Sequence, residues 1–145
     1  MAKFHYKFES IKKIKENLEK KVQKEVSVIE LEIEKLNTVL TDIRTKKDEA
    51  RRNCFTRSTF RISELQFQEH LEELMDLQIE KIREEIFRME GEKEKKLAEL
   101  AQKSKENKIF ETLKEKHFEE YVINENQNEQ KLIDEIASTQ FGRES

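Results

Sequence analysis

Proline is absent from all 145 residues, and glycine occurs only at Gly91 and Gly142. A chain without these residues has almost nothing that forces its backbone to reverse or ends a helix. Long helices are therefore the default, and the question becomes what they pack against. Nine hydrophobic residue types make up 34% of the chain and charged residues 42%. That is too little apolar surface for a thick core but enough for a thin seam between two helices, the composition of a coiled coil. Disorder is the competing reading at such charge density. It predicts no apolar periodicity, and periodicity is present.

Ile11, Ile14, Leu18, Val22, Val26, Ile29, Ile33, Leu36, Leu40 and Ile43 recur at steps of three or four, which places them on one face of a first helix. The steps of four from Ile14 through Leu18 and Val22 to Val26 read as a stutter in the heptad. The seam weakens through Lys47, Ala50 and Cys54. Residues 53–62 are rich in Ser and Thr, which compete for backbone hydrogen bonds and favour turns. Ser63-Glu64-Leu65-Gln66 then has the pattern of a capping box. The sequence predicts helix one over about 3–54, a turn at about 55–62, helix two over about 63–137 and a tail at 138–145.

The second helix carries Phe67, Leu71, Leu74, Ile82, Ile86, Met89, Leu97, Leu100, Leu113, Tyr121 and Leu132. Gln78, Lys93, Ser104, His117, Asn124 and Asn128 fill the remaining seam positions. Gly91 falls inside it. The expected architecture is all-α: a single antiparallel two-helix coiled-coil hairpin with a longer, overhanging second helix. At ~1.5 Å per residue the helices would span ~75 Å and ~110 Å. Folding back at 55–62 sets residue i opposite 118 − i, so helix two should overhang from about His117. Phe118, Tyr121, Val122, Leu132, Ile133 and Ile136 would then lack an intramolecular partner, which suggests a partner protein.

Charge supports this pairing near the turn. Residues 44–61 carry seven basic and two acidic residues, against eight acidic and two basic in 64–85. At the open end residues 1–24 hold eight Lys and three Glu and would face a second Lys-rich segment, so like charge opposes pairing there. The formal net charge of −3 shows no concentrated basic face for nucleic acid. Cys54 is the single cysteine, which suits a reducing cytoplasm. No stretch approaches the ~20 apolar residues of a membrane span, and residues 1–24 hold charges throughout, unlike a signal peptide.

Two isolated glycines build no phosphate-binding loop, so ATP hydrolysis by the chain itself is not expected. A di-iron bundle site would place Glu three residues before a His. Phe67 precedes His70 and Lys114 precedes His117 instead. No catalytic residue, metal ligand, cofactor or small-molecule substrate is expected. The informative residues are aromatic: Phe4, Tyr6 and Phe8 at the start, Phe55, Phe60 and Phe67 around the turn, Phe110, Phe118 and Tyr121 in helix two. They either pack into their own hairpin or anchor an interface.

The chain resembles the flagellar export protein FliJ and the related stalk proteins of type III secretion. The opening Phe4-His5-Tyr6-Lys7-Phe8-Glu9-Ser10-Ile11 is similar to the family's aromatic start. Ser63 to Phe67 with Leu71 and Leu74 is similar to its post-turn segment. Glu111 to Tyr121 and Glu129 to Ala137 resemble its most recognisable stretch. The resemblance implies a component of the flagellar protein-export apparatus that inserts its helical ends into the hexameric export ATPase. Its turn would contact the cytoplasmic domain of the membrane export gate, and it would also bind export chaperones. Carried onto this chain, the ATPase-binding residues would be Phe4, Phe8, Ile11, Phe118, Tyr121 and Leu132. The gate-binding residues would be Leu40, Phe67, Leu71, Leu74 and Gln78; Gln78 falls where the family shows His, and Arg44 where it shows an aromatic. The implied location is cytoplasmic, at the inner face of the cell membrane at the flagellar base, held there only through partners. The rival readings are an export chaperone that holds substrates and a free-standing structural coiled-coil homodimer.

Overall fold

The computed structural model describes residues 3–56, 59 and 61–144. It is an all-α helical hairpin: α1 runs over Glu9–Phe55 and α2 over Ile62–Glu144, and the two pack against each other in antiparallel sense. Ser and Thr inside the helices do not break them. Ser27, Thr38, Thr41 and Thr45 each donate their hydroxyl to the carbonyl four residues back, which satisfies the side chain within the helix. Thr139 does the same to Glu135, and α2 passes through Ala137 and Gly142 to Glu144 rather than ending near 137.

The helix starts also differ from the sequence pattern. Residues 3–8 are not helical, and the backbone turns in at Glu9, whose N–H donates to the Tyr6 carbonyl at 3.2 Å. α2 begins one residue ahead of Ser63. The Arg61 carbonyl accepts from the Glu64 and Leu65 N–H groups, so Ser63 lies inside the first turn rather than capping it.

The chain divides into two units, a turn unit of residues 21–100 and a terminal unit of residues 1–20 with 101–145. In the turn unit the buried core is Leu40, Ile79 and Ile86, with Ile33, Leu36, Ile43 and Ile82 packed around them. Val22 and Val26 are buried as well. Each such aliphatic side chain stabilises the pair by about 1.5–3 kcal/mol. Ion pairs flank this seam: Glu25–Lys96 at 2.7 Å, Glu30–Lys93 at 3.3 Å, Lys47–Asp76 at 2.5 Å and Arg51–Glu72 at 3.5 Å. The basic end of α1 thus meets the acidic start of α2, as the charge pattern requires. The register is offset, however. Lys47 pairs with Asp76, where 118 − i would give Leu71, a displacement of about one helical turn.

The stutter expected from the sequence is absent. Buried and half-buried positions of α1 step through Val22, Val26, Ile29, Ile33, Leu36, Leu40 and Ile43 in unbroken alternation of four and three. In α2 they step through Glu72, Met75, Ile79, Ile82, Ile86 and Met89. Met75 and Ile79 therefore hold the seam where the sequence pattern put Leu74 and Gln78. A seam kept at a strict heptad stays in contact along both helices, whereas a stutter in one helix must be matched in the other.

The terminal unit carries a polar seam. Continuing the heptad of α1 back from Val22 brings Glu19, Lys15 and Lys12 inward, not Leu18, Ile14 and Ile11, which are 39%, 59% and 45% exposed. Across from them Asn107 is buried. Its amide donates to the Lys15 carbonyl at 3.4 Å and to the Glu19 carboxylate, while its own oxygen has no hydrogen-bond partner among the described residues. Lys15–Glu106 at 3.1 Å and Glu9–Lys114 at 3.3 Å close the sides. The like charge of the two open-end segments does not keep them apart, because unlike residues occupy the facing positions.

Candidate functional site

The alternation Phe4-His5-Tyr6-Lys7-Phe8 sets three rings on one side of the non-helical N-terminal arm. Phe4, Tyr6 and Phe8 are buried or half-buried, while His5 and Lys7 are exposed. An extended strand rises ~3.3 Å per residue against 1.5 Å in a helix. A short arm therefore covers a long stretch of α2. Tyr6 donates its hydroxyl to the Phe110 carbonyl at 3.2 Å and sets its ring edge-on to His117, centroids 5.5 Å apart. Phe8 lies 5.8 Å from Tyr6 and 6.2 Å from His117, with the Lys7 ammonium 5.8 Å above its ring.

Farther along, Phe4 packs edge-on against Phe118 at 5.3 Å and tilted against Tyr121 at 5.4 Å, and these two rings stack at 6.5 Å. Offset and edge-on ring pairs of this kind contribute about 0.5–1.5 kcal/mol each beyond area burial. The cluster is only partly closed: Phe118 keeps 49% of its surface exposed. The arm carries the α1 side past His117, so the overhang of α2 begins beyond Glu125. From Asn126 to Gly142 every residue is exposed.

Of the six residues assigned to the ATPase contact, Phe4, Phe118 and Tyr121 thus meet in one aromatic cluster, and Phe8 belongs to a neighbouring one with Tyr6 and His117. Ile11 and Leu132 stand outside both, each exposed. The ATPase assignment left out Tyr6, although the sequence marks it among the informative aromatics, and His117. The alternation of rings in 4–8 was the signal, because a period of two marks an extended segment rather than a helix.

The residues assigned to the gate contact separate into two groups. Leu40 is in the core against Ile79 and Ile86, so its side chain is withheld from any partner. Phe67, 69% exposed, and Leu74, 47% exposed, lie on the outer surface of α2 with Gln78, and Leu71 is half-buried between them. Phe67 also borders a shallow groove with Asn53, Cys54 and Gln68. Phe55 is exposed, and Phe60 lies outside the described residues.

Electrostatics in the molecule are those of paired surface groups. The Lys96 ammonium beside Glu25 and the Lys15 ammonium beside Glu106 hold those carboxyls below the ordinary value of 4.5. Hydrogen bonding to Glu25 raises Lys96, and hydrogen bonding to Glu16 raises Lys12. Among the described residues no three His, Cys, Asp or Glu side chains converge as a metal site, and no helix is long and apolar enough to cross a membrane.

A family model described as flagellar FliJ protein matches residues 4–145, nearly the entire chain. The chain belongs to the FliJ family. Neither the curated proteins nor the solved structures include a match. FliJ proteins are flagellar, and membership makes this chain a component of the flagellar export apparatus. The matched range takes in both the aromatic arm and the exposed end of α2, the parts that lie outside the regular two-helix seam.

Proposed function

We propose that this FliJ protein is a stalk-like coupling element that joins the hexameric flagellar export ATPase to the export gate and catalyses nothing itself. The aromatic cluster carries the ATPase end of this reading. It pins the N-terminal arm to α2, leaves Phe118 half exposed, and is followed by α2 residues with no α1 beside them. Half-exposed aromatic rings on a firm support are good interface anchors. A single helical end inside a ring of six identical subunits contacts each differently, so it biases their conformations and favours ring assembly and turnover.

The gate end rests on Phe67 and Leu74, exposed on one surface of α2, with Leu71 and Gln78 adjoining. The protein acts on the cytoplasmic side of the cell membrane, attached through these partners. Export chaperones fit the exposed aliphatic residues of α2 beyond Glu125, of which Leu132, Ile133 and Ile136 are the largest group.

The test is ATP hydrolysis by the purified export ATPase from the same organism, titrated with this chain. The wild-type chain stimulates hydrolysis; Phe118→Ala with Tyr121→Ala reduces the stimulation about tenfold or more, while Phe67→Ala with Leu74→Ala leaves it intact. Equal stimulation by all three chains refutes the assignment of the aromatic end.

A further inference from the structure

The first turns of α1 carry two seams, one residue apart. Lys12, Lys15 and Glu19 are turned toward α2, while Ile11, Ile14 and Leu18 have the same spacing and are exposed. One residue is ~100° around a helix, so a roll of that size exchanges the two sets. The occupied seam is a poor one. It buries Asn107 with its side-chain oxygen lacking a hydrogen-bond partner among the described residues, a desolvation cost that no contact of that atom offsets.

The idle set has a matching surface on α2. Ile11 and Leu18 lie one turn before and one turn after Lys15, on the edge of the seam where its ammonium meets Glu106 at 3.1 Å. Ile109 and Leu113 follow Glu106 at steps of three and four, which puts them on that same edge of α2. The ion pairs Lys15–Glu106 and Glu9–Lys114 fix the level of one helix against the other, and they bring Ile14 level with Ile109 and Ile11 level with Leu113. Ile109 is 60% exposed and Leu113 half-buried. A strip of aliphatic side chains on each helix therefore borders one edge of the polar seam, at matching heights.

The arm holds α1 in its present setting. Tyr6 donates to the Phe110 carbonyl, Tyr6 and Phe8 lie against His117, and Glu9 pairs with Lys114. Glu9 is two residues from Ile11, ~200° around the helix, and so occupies the opposite edge. The roll that turns Ile11 inward swings Glu9 outward and draws the root of the arm off α2. A docked arm and an apolar seam are mutually exclusive.

We propose that residues 9–20 of α1 form a two-state element latched by the N-terminal arm. With the arm docked the polar seam is closed. With the arm released α1 rolls by about 100° and packs Ile11, Ile14 and Leu18 against Ile109 and Leu113. The two packings exchange ion pairs and ring contacts for aliphatic burial, so loss of a few arm contacts moves the balance. Release also uncovers His117, Phe118 and Tyr121, and a partner that binds those rings selects the rolled state. The inference concerns the packing of the free chain and is independent of the ATPase reading.

The experiment measures maleimide labelling of single cysteines in the full chain carrying Cys54→Ser. Ile14 is 59% exposed and the Lys12 side chain 14% exposed. They change places in the roll, so Ile14→Cys and Lys12→Cys are the reporters. In the latched chain Ile14→Cys should label faster. Tyr6→Ala with Phe8→Ala undocks the arm; Ile14→Cys should then slow, and Lys12→Cys quicken, each by at least about tenfold. Ile109→Ser with Leu113→Ser, added to the unlatched chain, should return Ile14→Cys to its fast rate, because the rolled seam loses its facing strip. Circular dichroism and sedimentation equilibrium check helicity and monomer mass. If both reporters quicken in the unlatched chain, the first turns fray and do not roll. If neither changes, the arm latches nothing. If Ile14→Cys slows only in a dimer, a second copy covers it. Each of these results overturns the proposal, as does protection of Ile14→Cys that survives the serine substitutions.

Discussion

Leu40 and Ile14 both sit at three-or-four spacing in α1, yet the structure gives them opposite environments, and truncating each separates the two. Leu40 is 7% exposed against Ile79 and Ile86, with Ile33, Leu36, Ile43 and Ile82 around it. Removing three carbons there forfeits transfer energy and leaves a cavity, a loss of about 2–5 kcal/mol in globular cores. A two-helix seam is thin and closes partly over a void, so the lower part of that range, about 2–3 kcal/mol, is expected for Leu40→Ala. For a chain of this size that corresponds to a melting temperature lower by roughly 4–12 °C. Ile14 faces solvent, and alanine is the better helix former, so Ile14→Ala should change stability by no more than about 0.5 kcal/mol. Urea unfolding followed by circular dichroism, at concentrations low enough to hold a monomer, measures both. A cost at Ile14 equal to that at Leu40 would refute the unbroken heptad and restore the stutter.

Gly91 is inside α2, and a Cβ there would meet nothing within 4 Å, so Gly91→Ala should stabilise by about 1 kcal/mol in the same unfolding assay. Tyr6→Phe removes the hydrogen bond to the Phe110 carbonyl and should cost about 0.5–1.5 kcal/mol, with the arm's amide protons exchanging faster. Asn107→Asp sets a second carboxylate beside Glu19 in a buried position. It should destabilise by about 1–3 kcal/mol at neutral pH, and the loss should shrink as acid neutralises the new group. Glu25 and Glu106 titrate below their ordinary value in the folded chain, so their stabilisation is present above pH 4.5 and is lost as pH falls through the lowered values. Thermal melts from pH 7 to pH 3 should show that decline, and Lys96→Met should remove the part owed to Glu25.

The helical hairpin was legible because nothing in the chain stops a helix and because Val22 to Ile43 and Ile82 to Met89 allow one seam each. Where two seams fit, local spacing was not enough. Around residues 67–79, Phe67, Leu71, Leu74, Met75, Leu77 and Ile79 occupy most of the helix circumference. Only the heptad counted back from Ile86 selects Met75 and Ile79. At residues 11–19 the apolar residues are not in the seam at all, because helix pairing there is held by Lys15, Glu19, Glu106 and Asn107. Hydrophobic pattern carries no record of a polar seam. The offset was hidden for a related reason, since register follows the packing of Leu40 against Ile79 and Ile86, with Lys47–Asp76 and Arg51–Glu72 facing each other beside it, and not the midpoint of the turn. The aromatic end was half legible: the rings are visible in the sequence, but their meeting depends on an extended arm, which a helix-wide reading of residues 3–8 conceals.

The most direct test of the stalk reading is site-specific photocrosslinking in the reconstituted export assembly. A photoreactive side chain placed at Phe118 should yield a covalent product with the export ATPase, and one placed at Phe67 a product with the gate's cytoplasmic domain. Products exchanged between the two positions, or ATPase products from Phe67 alone, would contradict the account.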